Sequence, residues 1–125
     1  VDLIIGAHPH VVEPVEWIKT DKGNEVLVYY SLGNFLSRQT DIINLLGGMA
    51  KVTLKSENGK VSIDDYSFMP VATYYNYGCS KFKIYPLNEF TDEVASTHGI
   101  GATKEKFTSL LDDIFDGYDK EIIEY

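Results

Sequence analysis

An apolar run, Val1 to Ile5, stops at Gly6 and is followed at once by Ala7-His8-Pro9-His10, and this junction constrains the chain more than any other stretch. Asp2 is the only polar residue in the run. Continuous rather than alternating apolarity marks a strand covered on both faces, the parallel kind. Ligands gather at the carboxyl ends of such strands, which is where Gly6 to His10 falls. A residue before proline is pushed out of the α region, so His8 is expected to be extended, and Pro9 has its φ fixed near −65°. In extended backbone, side chains two apart point the same way, roughly 6.5–7 Å apart along the chain. Both imidazoles are therefore expected to face one place on a stiff backbone, an arrangement that suits a metal ion.

The chain has 125 residues, 44% of them hydrophobic, enough for one globular domain with a core of its own. It opens on an apolar strand with nothing ahead to pair with it, and is expected to be part of a longer domain. Eleven basic residues against 19 acidic ones give a net charge of −8, which argues against a nucleic-acid partner. No run approaches the ~18 apolar residues of a membrane-spanning helix. The single cysteine, Cys79, excludes an internal disulfide framework and is read as a small core residue rather than a nucleophile.

Val12 to Thr20 and Glu25 to Leu32, separated by Asp21-Lys22-Gly23-Asn24, predict a hairpin. Gly33-Asn34 breaks the second strand and can bring Ser31 and Asn34 back towards the histidines. Ser37 to Gly48 shows no period and reads as a loop with a Gly-Gly exit. Ala50 to Lys55 alternates cleanly, Asn58-Gly59 signals a tight turn, and Lys60 to Met69 is the return strand. Its apolar phase slips at Asp64-Asp65, which predicts a bulge. Lys81 to Tyr85 is a short strand candidate. Phe107, Leu110, Leu111 and Ile114 fall at helical spacing after Thr103, a plausible N-cap, with Gly117 beyond the end. Glu89 to His98 reads as a weaker helix.

Each candidate functional group has a plainer alternative. A lone histidine is more often a satisfied core or surface residue than a ligand; two beside a proline at a strand end shift the balance towards metal. Neutral imidazole suits Zn, Mn or Fe, and each ring then needs an outer partner on its other nitrogen. Two ligands are too few, since even tetrahedral zinc takes three or four from the protein. His98 lies in a polar stretch and reads as a surface residue. Glu13, three residues past His10, is a weak catalytic candidate, and Glu16 is more simply a surface carboxylate. Trp17 is expected to cap the core or cover the site mouth. Ser31 and Asn34 are weak substrate-binding candidates, able to offer N–H groups to an anion, or merely a strand end that needs Gly to bend. The tyrosines from Tyr74 to Tyr85 read as packing rather than as a stacking platform.

Gly6-Ala7-His8-Pro9-His10-Val11-Val12, then Pro14-Val15-Glu16, a short hairpin, and Val28-Tyr29-Tyr30-Ser31-Leu32-Gly33-Asn34-Phe35 together resemble the bacterial capsule-synthesis protein family, the CapA type linked to poly-γ-glutamate. The resemblance is specific over residues 1–35 and looser through the strands around Asn58-Gly59 and Met69-Pro70-Val71. Residues 88–125 carry none of it. That family is similar in fold to calcineurin-like metallophosphoesterases, an α/β (α+β) four-layer α/β/β/α sandwich. A Gly-His-x-His motif holds metal in those enzymes; His8 and His10 match it, with Ala7 inserted after Gly6. The resemblance implies that each histidine serves one ion of a divalent pair (Mn, Zn or Fe) roughly 3.5–4 Å apart. The other ligands would lie in an amino-terminal half.

The resulting expectation is that residues 1–87 form the carboxyl-terminal half of a metallophosphoesterase-like domain and residues 88–125 a helical extension. The resemblance further implies a role in building, exporting or anchoring a capsule polymer at the outer face of the bacterial membrane, through an amino-terminal anchor. An anionic polymer or phosphoester would be the substrate, and membrane-bound capsule machinery the partner. The alternative is a polymer-binding or scaffold protein that kept the fold without turnover. Without neighbours, the strand Asp2–Ile5 is an open apolar edge, which predicts self-association.

Overall fold

A computed structural model describes all residues, 1–125. The chain is mixed α+β, built on two three-stranded sheets. In the first, β1 (Leu3–Ile5) runs parallel to β3 (Glu25–Leu32), and β2 (Val12–Lys19) lies antiparallel on the other side of β3, giving the order β1-β3-β2. The hairpin between β2 and β3 closes as expected, the N–H groups of Thr20 and Gly23 bonding to the carbonyls of Asn24 and Thr20 at 2.8 Å each. The parallel pairing of β1 agrees with its continuous apolarity. Coverage on both faces does not: Ile4 and Ile5 remain 47% and 50% exposed. β1 is an edge strand, and nothing in residues 1–125 packs over its outer side.

The second sheet has the order β4-β5-β6, from β4 (Leu46–Glu57), β5 (Lys60–Tyr75) and β6 (Phe82–Pro86), all antiparallel. Asn58 and Gly59, both at positive φ, make the tight turn between β4 and β5. The register then jumps, Thr53 facing Asp65 and Leu54 facing Ile63, so Asp64 is the extra residue of a bulge at the place the phase slip indicates. β5 continues beyond Met69, through Pro70, to Tyr75. Phe68 turns its N–H outwards to the Ile122 carbonyl of the carboxyl-terminal tail at 2.8 Å. Two residues on, Pro70 faces the same edge. Its missing donor falls between that tail contact and the first β6 pairing, at Val71, so no ladder bond is lost there.

β4 also begins earlier than the sequence pattern indicates. Leu46, Gly47 and Gly48 are buried strand residues, not a loop exit. The glycines are demanded by distant neighbours: a Cβ on Gly47 would lie 2.1 Å from the Asn34 carbonyl oxygen, and one on Gly48 would lie 2.1 Å from the Phe68 ring.

The two sheets and the carboxyl-terminal helix enclose one core, where Leu27 and Tyr29 of β3 meet Leu46, Phe68, Phe90, Phe107, Leu111 and Phe115. Helix α2 (Lys104–Ile114) forms because Phe107 and Leu111 bury one face and the Thr103 hydroxyl accepts the Lys106 N–H at 3.3 Å. Its Phe107 ring sits edge-on to Phe90 at 5.3 Å, and Phe115 at its end packs 5.4 Å from Phe68 of β5, so residues 88–125 contribute to the same core as residues 1–87. The shorter α1 (Asp92–Ser96) is capped by Thr91 and occupies only part of the Glu89–His98 stretch. Two 3₁₀ turns, Ile42–Leu45 and Leu87–Glu89, complete the regular structure. The Tyr29 hydroxyl reaches from the first sheet to the second, donating to the Ser67 carbonyl at 2.9 Å; burial pushes its pKa up to about 12. No helix is long and apolar enough to cross a membrane.

Candidate metal-binding turn at the end of β1

The parallel β1–β3 ladder continues one step past β1: Gly6 donates to the Tyr29 carbonyl at 2.9 Å and accepts from the Leu32 N–H at 2.8 Å. A Cβ at Gly6 would lie 2.1 Å from the Tyr30 carbonyl oxygen, so only glycine permits this approach. The chain then leaves the sheet in a turn across Ala7-His8-Pro9-His10, closed by the His10 N–H on the Ala7 carbonyl at 3.3 Å. This differs from the extended segment expected. His8 and Pro9 lie within the turn, and His10 takes the left-handed conformation, with φ of 62°. Proline restricts its own φ and the residue before it, but leaves the residue after it free to turn.

The two rings nevertheless stay together, their centroids 6.4 Å apart and their planes inclined by 43°, and both side chains are exposed. They neither diverge nor sit beneath aliphatic groups. Around them, β3 ends at Gly33, whose φ of 66° turns the chain back. That turn delivers Asn34 to His10: the two side chains meet at 2.7 Å, His10 Nδ1 against Asn34 Oδ1. The Asn34 amide also donates to the His10 carbonyl at 3.1 Å and to the Asn44 carbonyl at 3.0 Å. Asn44, in the 3₁₀ turn Ile42–Leu45, donates its own amide to the same His10 carbonyl at 3.1 Å. Asn44 carries no motif-level signal in the sequence. Only the fold brings it beside a residue 34 positions earlier.

The remaining candidates fall differently. Ser31 is fully buried and its hydroxyl accepts the Gly33 N–H at 3.1 Å, which steadies the bend. Glu13 faces Ser31 across the β2–β3 ladder, half-buried, and makes no ion pair. Glu16 accepts the Tyr30 hydroxyl at 2.7 Å, and the carboxylate raises the Tyr30 pKa above its ordinary value. Trp17 lies further along β2, on the same face as the buried Val15 and edge-on to Tyr66 at 5.9 Å, at the rim of the core rather than beside the histidines. His98 is not a surface residue. It is 1% exposed among Tyr74, Tyr75 and Phe90, with Nε2 3.1 Å from the Thr73 carbonyl and Nδ1 accepting the Ile100 N–H at 3.2 Å. Burial lowers its pKa. A polar sequence neighbourhood hid this, because both ring nitrogens are satisfied by backbone rather than by water.

Two exposed imidazoles fit a divalent ion in donor chemistry, and the Asn34 contact supplies the outer partner that a ligating histidine needs. No three His, Cys, Asp or Glu side chains converge within residues 1–125, so the turn offers part of a ligand set.

The family model for the bacterial capsule synthesis protein PGA_cap matches residues 1–39. The matched segment runs from β1 through the histidine turn and the first hairpin to just past Asn34. It supports the capsule-synthesis family over that stretch, 39 of 125 residues. Comparisons with curated proteins and with solved structures find no match.

Proposed function

We propose that residues 1–125 belong to a capsule-synthesis protein of the poly-γ-glutamate type, working at the outer face of the bacterial membrane on an anionic polymer or a phosphoester. In this reading His8 and His10 are metal ligands, each on one ion of a divalent pair roughly 3.5–4 Å apart, with the other ligands coming from outside these residues. One observation supports it above the others: the family match covers residues 1–39, and within it the histidine turn is hydrogen-bonded to the end of the first hairpin through His10 and Asn34. The metal pair, when bound, would polarise a phosphoryl-like group and neutralise charge on the polymer. The protein's own contribution at this turn is to hold two imidazoles at a fixed separation on exposed backbone.

A second reading has an observation of its own. A net charge of −8 disfavours holding a polyanion without help, which suits a scaffold that kept the fold without turnover. A phosphodiester hydrolysis assay on the full-length protein, with and without added Mn²⁺, separates the two. Mn²⁺-dependent turnover that disappears in His8→Ala supports the metal site as catalytic. A folded protein that binds no Mn²⁺ and shows no turnover at any metal concentration would establish the scaffold instead.

A further inference from the structure

We propose that Asn34 is a positioning residue that fixes His10 as its Nδ1–H tautomer and so presents Nε2 as the atom free to take a ligand; this deepens the metal reading above and rests on it. The tautomer follows from a count of donors and acceptors. An asparagine amide has two N–H donors and one carbonyl acceptor. Both donors of Asn34 are taken, one by the His10 carbonyl at 3.1 Å and one by the Asn44 carbonyl at 3.0 Å. Turning the amide over would set its oxygen against those two carbonyls and lose both bonds. The atom facing His10 Nδ1 at 2.7 Å is therefore the amide oxygen, an acceptor only. His10 Nδ1 must donate. In the neutral ring Nε2 then carries the lone pair.

The same amides hold the backbone. The His10 carbonyl accepts from Asn34 and from Asn44, each at 3.1 Å, while its residue keeps the left-handed φ of 62° that side chains rarely adopt. A strained conformation persists where its surroundings over-determine it, and such positions cluster at functional sites. Asn34 thus has no hydrogen left to give a substrate. Its whole amide is spent on the ring and carbonyl of His10 and on the loop that carries Asn44. A residue with a purely structural task would need only the carbonyl contacts; the third contact, to the ring, selects one nitrogen.

Long-range ¹H–¹⁵N correlation of the imidazoles in metal-free protein tests this, recorded about two pH units above the ordinary histidine pKa of ~6.5. Wild-type His10 should show a protonated Nδ1 and a bare Nε2. Asn34→Leu should move the ring to mainly Nε2–H. A wild-type His10 carrying its proton on Nε2 overturns the proposal without any variant, as does a folded Asn34→Leu protein with the pattern unchanged. Adding Zn²⁺ to the wild type separates this outcome from the wider reading. If Nδ1–H holds but the His10 resonances ignore Zn²⁺, the positioning role stands while the metal role of His10 fails.

Discussion

Acidification should loosen this protein through one residue, His98. In the folded chain its Nδ1 accepts the Ile100 N–H and its Nε2 faces the Thr73 carbonyl, inside a cage of Tyr74, Tyr75 and Phe90. A second ring proton would point a donor at a donor, in a site 1% exposed. Burial accordingly lowers the pKa below the ordinary histidine value of about 6.5. The sign follows directly. Above the unfolded value neither state binds the proton, so stability is at its full level. As the pH falls below ~6.5 the unfolded chain takes up a proton that the folded chain refuses, and stability declines until the folded pKa is reached. One proton gives a limiting slope of about 1.4 kcal/mol per pH unit. Between pH 7.5 and pH 5 the contribution is at most roughly 2 kcal/mol, set by the ~1.5 units below the unfolded pKa. Urea unfolding at half-unit intervals, for wild type and His98→Gln, measures it. The difference between the two proteins should shrink as the pH drops, because glutamine lacks the titration. A difference that stays flat from pH 7.5 to pH 5 would refute the buried neutral ring.

Other consequences are open to the same equipment. Phe107→Ala empties a fully buried position against Phe90 and should cost about 3–5 kcal/mol in urea unfolding, with the m-value unchanged; a loss under 1 kcal/mol would mean that α2 is not part of the core. Tyr29 should ionise near pH 12, so stability held below pH 10 is lost as the pH rises towards that value, and Tyr29→Phe should remove this alkaline loss. Gly33→Ala forces a Cβ to 2.9 Å from the Leu46 carbonyl oxygen at φ of 66°, with ~1–2 kcal/mol of backbone strain in addition. Its Tm should fall and the His10–Asn34 contact weaken. In residues 1–125 taken alone, the edge of β1, with Ile4 and Ile5 half-exposed, predicts self-association at high concentration; light scattering that shows a monomer throughout for that segment contradicts it.

Much of the fold is legible where local chemistry decides it. Asn58-Gly59 marks its hairpin, the phase slip marks the Asp64 bulge, and Thr103 with the Phe107–Leu111 spacing marks α2. Legibility fails where a distant neighbour decides. Gly47 and Gly48 look like a loop exit until the Asn34 carbonyl and the Phe68 ring occupy the space of their Cβ atoms. β5 runs through Pro70 because the edge facing its missing N–H is unpaired there. His98 reads as a surface residue until the backbone of Thr73 and Ile100 meets both its nitrogens. At the site, the paired histidines and the return of Asn34 could be anticipated from the Gly-rich strand ends. The left-handed turn at His10 and the role of Asn44 could not, since no rule constrains the residue after a proline and Asn44 acts from a separate loop.

The proposed role of the exposed His8 and His10 imidazoles, holding part of a divalent-metal pair, is open to measurement as bound metal. Metal content of the full-length protein, measured by elemental mass spectrometry for wild type and for His8→Ala/His10→Ala, tests it most directly. Wild type should carry about two ions per chain, with the double variant losing bound metal while the buried His98 signals confirm an intact fold. Equal metal content in the two proteins would contradict it.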